Sequence, residues 1–198
     1  MRSLAHFISY FFHPLFLPLY LTGIFFKISP VLYLPNFQKL FVLIVLFGTA
    51  VIPLLSLGIF RITGTISSFH MPISKERRLP FFAAALFLFG TQHLLQYLNI
   101  NSPVESCILG CSISLLICSL FLEKIKISVH GLGAGGFTAF FVWAYMNFYT
   151  QSIVWIVVSL LISGLVGFSR LTLKAHLERE IYIGWSLGFA VLSFCLFS

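Results

Sequence analysis

The chain has 198 residues, of which 59% are hydrophobic, 17% aromatic and 9% charged, with a formal net charge of +7. A soluble domain carries about a quarter charged residues, so 12 Lys and Arg with 5 acidic residues cannot cover a water-facing globule. Together with a mean hydropathy of +1.03, this excludes a soluble protein and implies an all-α, polytopic membrane helix bundle. The acids are all glutamates (Glu76, Glu105, Glu123, Glu178 and Glu180), and the lack of aspartate excludes membrane enzymes whose metal site is an Asp-rich motif. The basic residues sit in short clusters between apolar runs and not along a soluble face. They point to anionic lipid or an anionic substrate group, with no nucleic-acid partner.

A hydrocarbon core about 30 Å thick needs about 20 apolar residues in a helix. Taken in chain order, apolar runs at 4–26, 38–60, 80–98, 104–122, 131–149, 152–169 and 181–198 predict six to seven transmembrane helices. The first contains Pro14 and Pro18 together with His6 and His13, which predicts a kinked or partly inserted segment. Its length, and the lack of a small-x-small site after it, argue against a cleaved signal peptide. Cys107, Cys111, Cys118 and Cys195 fall in apolar segments without a C-x-x-C pair and read as small buried hydrophobes. His70 reads as an interfacial histidine and His93 as a satisfied buried one. No linker, repeat or low-complexity tract divides the chain, so 1–198 reads as one domain.

Three polar loops, at 61–80, 123–130 and 169–180, are separated by two spans each, and an even number of crossings returns the chain to one membrane face. That face holds Arg2, Arg61, Lys75, Arg77, Arg78, Lys124, Lys126, Arg170, Lys174 and Arg179, leaving Lys27 and Lys39 on the other. By the positive-inside rule the loops would be cytoplasmic.

The first loop, Met71-Pro72-Ile73-Ser74-Lys75-Glu76-Arg77-Arg78-Leu79-Pro80, reads either as a basic anchor at the headgroups or as a set of phosphate-binding cations. The second runs Lys124-Ile125-Lys126-Ile127-Ser128-Val129-His130 into Gly131-Leu132-Gly133-Ala134-Gly135-Gly136. A glycine-rich helix start can cradle a phosphate on backbone N–H groups, and glycines equally permit close helix packing. His130 beside them could protonate a leaving oxygen. In the third loop His176 and Glu180 are four residues apart, which on a helix puts them on one face within hydrogen-bonding reach. A carboxylate on one ring nitrogen leaves the other free to attack or to accept a proton. The same stripe continues through Gly184 and Gly188, where another helix could approach closely. The plainer alternative is an interfacial histidine beside a surface glutamate.

Ser169-Arg170-x5-His176-x3-Glu180 resembles the third signature of the type 2 phosphatidic acid phosphatase superfamily, S-R-x5-H-x3-D, with Glu for Asp. Ser128-Val129-His130 is similar to the end of the second signature, P-S-G-H, with Ile127 for its proline and Val129 for its glycine. The basic segment ending at Pro80 resembles the first, K-x6-R-P, with Leu79 where arginine would precede the proline. The N-terminal run Phe12-His13-Pro14-Leu15-Phe16-Leu17-Pro18 suits a divergent bacterial membrane branch. The resemblance implies His176 as the nucleophile that forms a phosphohistidine, Glu180 as its orienting carboxylate and His130 as general acid. It further implies that Arg170, Lys75, Arg77 or Arg78, and Ser128 hold the phosphate oxygens, with no metal and no cofactor.

The expected function is therefore a lipid phosphatase of the cell (inner) membrane acting on a lipid phosphate or polyprenyl diphosphate. The alternative is a catalytically silent relative that binds or moves anionic lipid. The resemblance implies a site on the outer face, against the charge count. Gly133-Ala134-Gly135 lacks the serine of an intramembrane serine protease, and the histidine boxes of a di-iron desaturase are missing.

Overall fold

The structure is a computed structural model describing residues 1–28, 35–69, 71, 73–100, 102–122, 125–148 and 153–198. His70, Glu123 and Lys124 lie outside the described residues. The chain is all-α, with no strand among the described residues. Among the described residues six segments are long and apolar enough to cross a bilayer: Arg2–Ile28, Asn36–Ile62, Ser74–Tyr97, Pro103–Phe121, Val154–Thr172 and Glu178–Phe197. It is a multi-pass membrane protein. The chain divides into two compact units, one made of Met1–Leu17 with Ile127–Ser198 and the other of Pro18–Lys126.

The unit Pro18–Lys126 contains most of α2 (Leu17–Ile28), then α3 (Pro35–Leu46), α4 (Ile52–Ile62), α5 (Arg78–Tyr97) and α6 (Pro103–Phe121). A π-helical turn, Phe47–Val51, joins α3 to α4 immediately before Pro53. Proline has no N–H and its ring collides with the carbonyl four residues back; the widened turn lets the helix continue past it. Helix α6 starts where Ser102 accepts a hydrogen bond from the Val104 N–H (3.2 Å), with Pro103 in its first turn. Helices α5 and α6 are joined by a buried bond from Ser112 Oγ to the Ala85 carbonyl (2.7 Å). The four cysteines are buried and outside any disulfide, as expected. His93 departs from expectation: it is exposed on α5 and stacked on Phe89, with centroids 6.5 Å apart.

The other unit contains α1 (Arg2–Phe11), α7 (Val129–Phe148), α8 (Val154–Thr172) and α9 (Glu178–Phe197). The first apolar run is broken, as its prolines predicted. A residue before proline is pushed out of the helical region, and His13 has ψ 130° with its Nδ1 accepting the Leu15 N–H (3.2 Å) at the start of a short 3-10 turn, Pro14–Phe16. Helix α1 buries Ala5, Ile8 and Ser9 while Leu4, Phe7, Tyr10 and Phe11 are exposed. In lipid the exposed apolar side chains need no cover, and the polar Ser9 is the residue that must find partners on the protein side.

Helix α7 is the inner helix of this unit. Its 20 residues extend about 30 Å, long enough to span, although four glycines dilute its hydropathy. A Cβ at Gly131 would lie 2.7 Å from the Ile181 carbonyl oxygen, and one at Gly135 would collide with the Trp185 carbonyl. From the opposite side, Cβ atoms at Gly184 and Gly188 would strike the carbonyls of Ser128 and Leu132. Two small-x-x-x-small faces thus bring the backbones of α7 and α9 into contact. Of the two sequence readings for the glycine run, close packing is the use observed.

Candidate active site

The loop ends of α7, α8 and α9 and the C-terminal half of α1 bring together His130, Arg170, His176, Glu180 and Ser9. Helix α8 ends in a Schellman turn. The Ala175 N–H donates to the Arg170 carbonyl (3.0 Å) and the Lys174 N–H to that of Leu171 (2.9 Å), with Lys174 at φ 51°. This left-handed position usually belongs to glycine; here it reverses the chain so that His176 meets the start of α9.

His176 Nδ1 lies 2.8 Å from Glu180 Oε2, and the two side chains are 7% and 9% exposed. The expected pair forms, though not on one helix. His176 lies in the turn, Leu177 is extended (ψ 159°) and Glu180 stands in the first turn of α9. The Glu180 carboxylate also accepts the Leu177 N–H (3.2 Å), which is the acidic half of a capping box. It therefore holds the imidazole and starts the helix. With Nδ1 bonded to carboxylate, the remaining reactive nitrogen of His176 is Nε2.

His130, in the first turn of α7, directs Nε2 to the Ser9 carbonyl (3.1 Å) and lies 3.3 Å from Ser9 Oγ. A carbonyl only accepts, so Nε2 carries the hydrogen and Nδ1 is the nitrogen left to exchange a proton. Arg170 donates through a terminal guanidinium nitrogen to the same Ser9 hydroxyl (2.5 Å). The His13 ring stands edge-on to His130, centroids 5.1 Å apart. Arg170, His13 and His176 are all close enough to act on the charge of His130. Ser169 is fully buried and donates to the Ala5 carbonyl (3.0 Å), docking α8 on α1.

Ser128 is also fully buried. Its Oγ accepts the Gly131 N–H (3.2 Å) as the N-cap of α7, and its own N–H donates to the Glu180 carbonyl (3.1 Å). This serine, expected among the phosphate-binding groups, caps the helix that carries His130. Lys75, Arg77 and Arg78 belong to the other unit, on a 3-10 turn, Ser74–Arg77, and at the start of α5. Lys75 and Arg78 are exposed, and Arg77 Nε donates to the Met71 carbonyl (2.9 Å). Glu76 accepts from Ser67 Oγ (2.9 Å).

Sequence reasoning missed Ser9 and His13 as members of the cluster. Their signal was present: two polar residues four apart inside an apolar run mark a buried functional face in lipid. Among the described residues no group of three or more His, Cys or acidic side chains could hold a metal ion. Comparison with protein-family models, curated proteins and solved structures returned no match. Fold and site together define a multi-pass helical membrane protein with a buried His–Glu dyad, a second histidine and an arginine at the loop ends of one helical unit.

Proposed function

We propose that the protein is a metal-independent membrane phosphatase acting on a lipid phosphate or polyprenyl diphosphate. The observation that carries this reading is the His176–Glu180 contact of 2.8 Å, with His130 and Arg170 in the same cluster. In the proposed reaction His176 Nε2 attacks phosphorus and the bond to the leaving oxygen breaks. That oxygen takes a proton from the His130 imidazolium, and Arg170 offsets the charge on the phosphoryl oxygens. Water, deprotonated by His130, then attacks phosphorus, the P–N bond breaks, and inorganic phosphate leaves. Lys75, Arg77 and Arg78 are proposed as further phosphate-binding cations on the strength of the family resemblance alone. Ser128 contributes by fixing the start of α7, two residues before His130.

The test is hydrolysis by the purified full chain of a panel of lipid phosphates and polyprenyl diphosphates. Activity is expected to survive EDTA and to be inhibited by vanadate, which adopts the trigonal-bipyramidal geometry of the transferring group. Loss on chelation with recovery on Mg²⁺ would overturn the mechanism. Absence of hydrolysis with retained binding to anionic vesicles would favour the silent lipid-binding relative.

On the same reading the three loops share one face, which we propose is the outer face of the cell membrane. Single cysteines near Arg61, Lys124 and Lys174, introduced after removal of Cys107, Cys111, Cys118 and Cys195, are expected to react with an impermeant thiol reagent from outside. Reaction of all three only from inside would reverse the orientation. Reaction from opposite sides would break the shared face.

A further inference from the structure

We infer that Ser9 is a positioning residue whose hydroxyl couples the Arg170 guanidinium to His130, so that α1 is a working part of the site and not only a membrane anchor. This rests on the phosphatase reading for its catalytic meaning. The geometry is specific. Ser9 is buried, its Oγ receives the Arg170 hydrogen bond and lies 3.3 Å from His130 Nε2, and its carbonyl holds the same nitrogen at 3.1 Å. One residue therefore sets both the cation and the proton donor. Ser169, next to Arg170, bonds the carbonyl of Ala5, one turn before Ser9 on α1 (3.0 Å), so the two helices are locked in the register that this bridge requires.

The chemistry explains why such a bridge is useful. A cation that neutralises phosphoryl oxygens and an acid that protonates the leaving oxygen must act on one phosphorus in one geometry. Arginine is long and rotamer-rich, and a buried acceptor on a guanidinium N–H removes much of that freedom. The titratable groups around His130 come from three places: Arg170 on α8, His13 after α1, and His176 in the α8–α9 turn. Ser9 contacts both Arg170 and His130.

The experiment compares Ser9→Ala and the near-isosteric Ser9→Cys with Ser9→Thr, in wild-type and Arg170→Ala backgrounds. A hydrogen bond to a charged group, once lost, changes kcat/KM on an alkyl phosphate by about 10- to 100-fold. That fall is expected for Ala and Cys, while Thr, which keeps the hydroxyl, recovers most of the rate. In the Arg170→Ala background the Ser9 change should cost nothing further, since its effect passes through the arginine. Equal losses in both backgrounds would show a merely structural role and overturn the inference. A second readout needs no activity: the ring ¹⁵N signals of His130 in histidine-labelled protein, assigned with His130→Gln. Ser9→Ala should displace them, and should displace them far less once Arg170 is gone. Unmoved signals would overturn the coupling even in an active enzyme. Displaced signals in a protein that hydrolyses none of the phosphates would leave the coupling standing and remove the phosphatase reading.

Discussion

Replacing His176 with alanine is expected to abolish turnover and the phosphoenzyme together, because the nitrogen that would take the phosphoryl group is lost with the imidazole. His130→Ala should behave differently. General acid catalysis contributes about 10²- to 10⁴-fold, and its share grows with the basicity of the leaving oxygen. The variant should lose that much on an alkyl phosphate and little on an activated aryl phosphate, which departs without a proton. Glu180 separates further, because its carboxylate has two duties. It binds His176 Nδ1 and it accepts the Leu177 N–H at the start of α9. Glu180→Gln keeps an acceptor for the helix and weakens only the hold on the imidazole, so activity should fall to between wild type and His176→Ala with stability unchanged. Glu180→Ala removes the cap as well and should lower stability by about 1 kcal/mol. Rates of each variant on the two substrates, with unfolding followed in detergent, measure all of this. Equal loss of both activities in His176→Ala and His130→Ala would refute the division of roles, and unchanged activity in both would favour the silent relative.

The second large effect is expected at Gly188, eight residues past Glu180 on α9. A Cβ there meets the carbonyl oxygen and carbon of Leu132 on α7, and backbone has no flexible end that can move aside. Gly188→Ala must therefore push α7 and α9 apart. Over-packing costs about 1 to 3 kcal/mol. The same displacement moves His130 on α7 relative to His176 and Glu180 at the start of α9. A shift of about 1 Å between reacting groups can cost about 100-fold in rate, so the variant should be both less stable and nearly inactive. Gly164→Ala is the control: it lies on α8 with nothing within 4 Å of its Cβ, and helix propensity makes it neutral or slightly stabilising. Indistinguishable thermal unfolding and rates for the two variants would refute the backbone contact between α7 and α9.

The membrane class was legible in composition alone, since a chain with so few charges has no other solvent to fold in. The positions of the spans were legible for the same reason: lipid requires an unbroken run of apolar residues, and local sequence records it directly. The break near His13 followed from proline chemistry. The pairing of His176 with Glu180 was also foreseen, but for a different local reason, because a four-residue spacing cannot distinguish one helical face from a turn leading into a helix cap. Lys174 at φ 51° decided that, a conformation that no propensity assigns to lysine.

What only tertiary structure decided were the contacts between residues distant in sequence. Ser9 meets His130 and Arg170 across 121 and 161 positions, and hydrophobic periodicity carries no information about which polar atoms will face each other inside lipid. The glycine run of α7 was equally compatible with a phosphate cradle until the opposing glycines of α9 were seen against it. Ser128, expected among the phosphate-binding groups, also accepts the Gly131 N–H as the N-cap of α7, a use that local sequence does not separate from an anion site because both need the same donor geometry. Local chemistry nominates candidates in this chain. The packing of α1, α7, α8 and α9 determines which of them share a site.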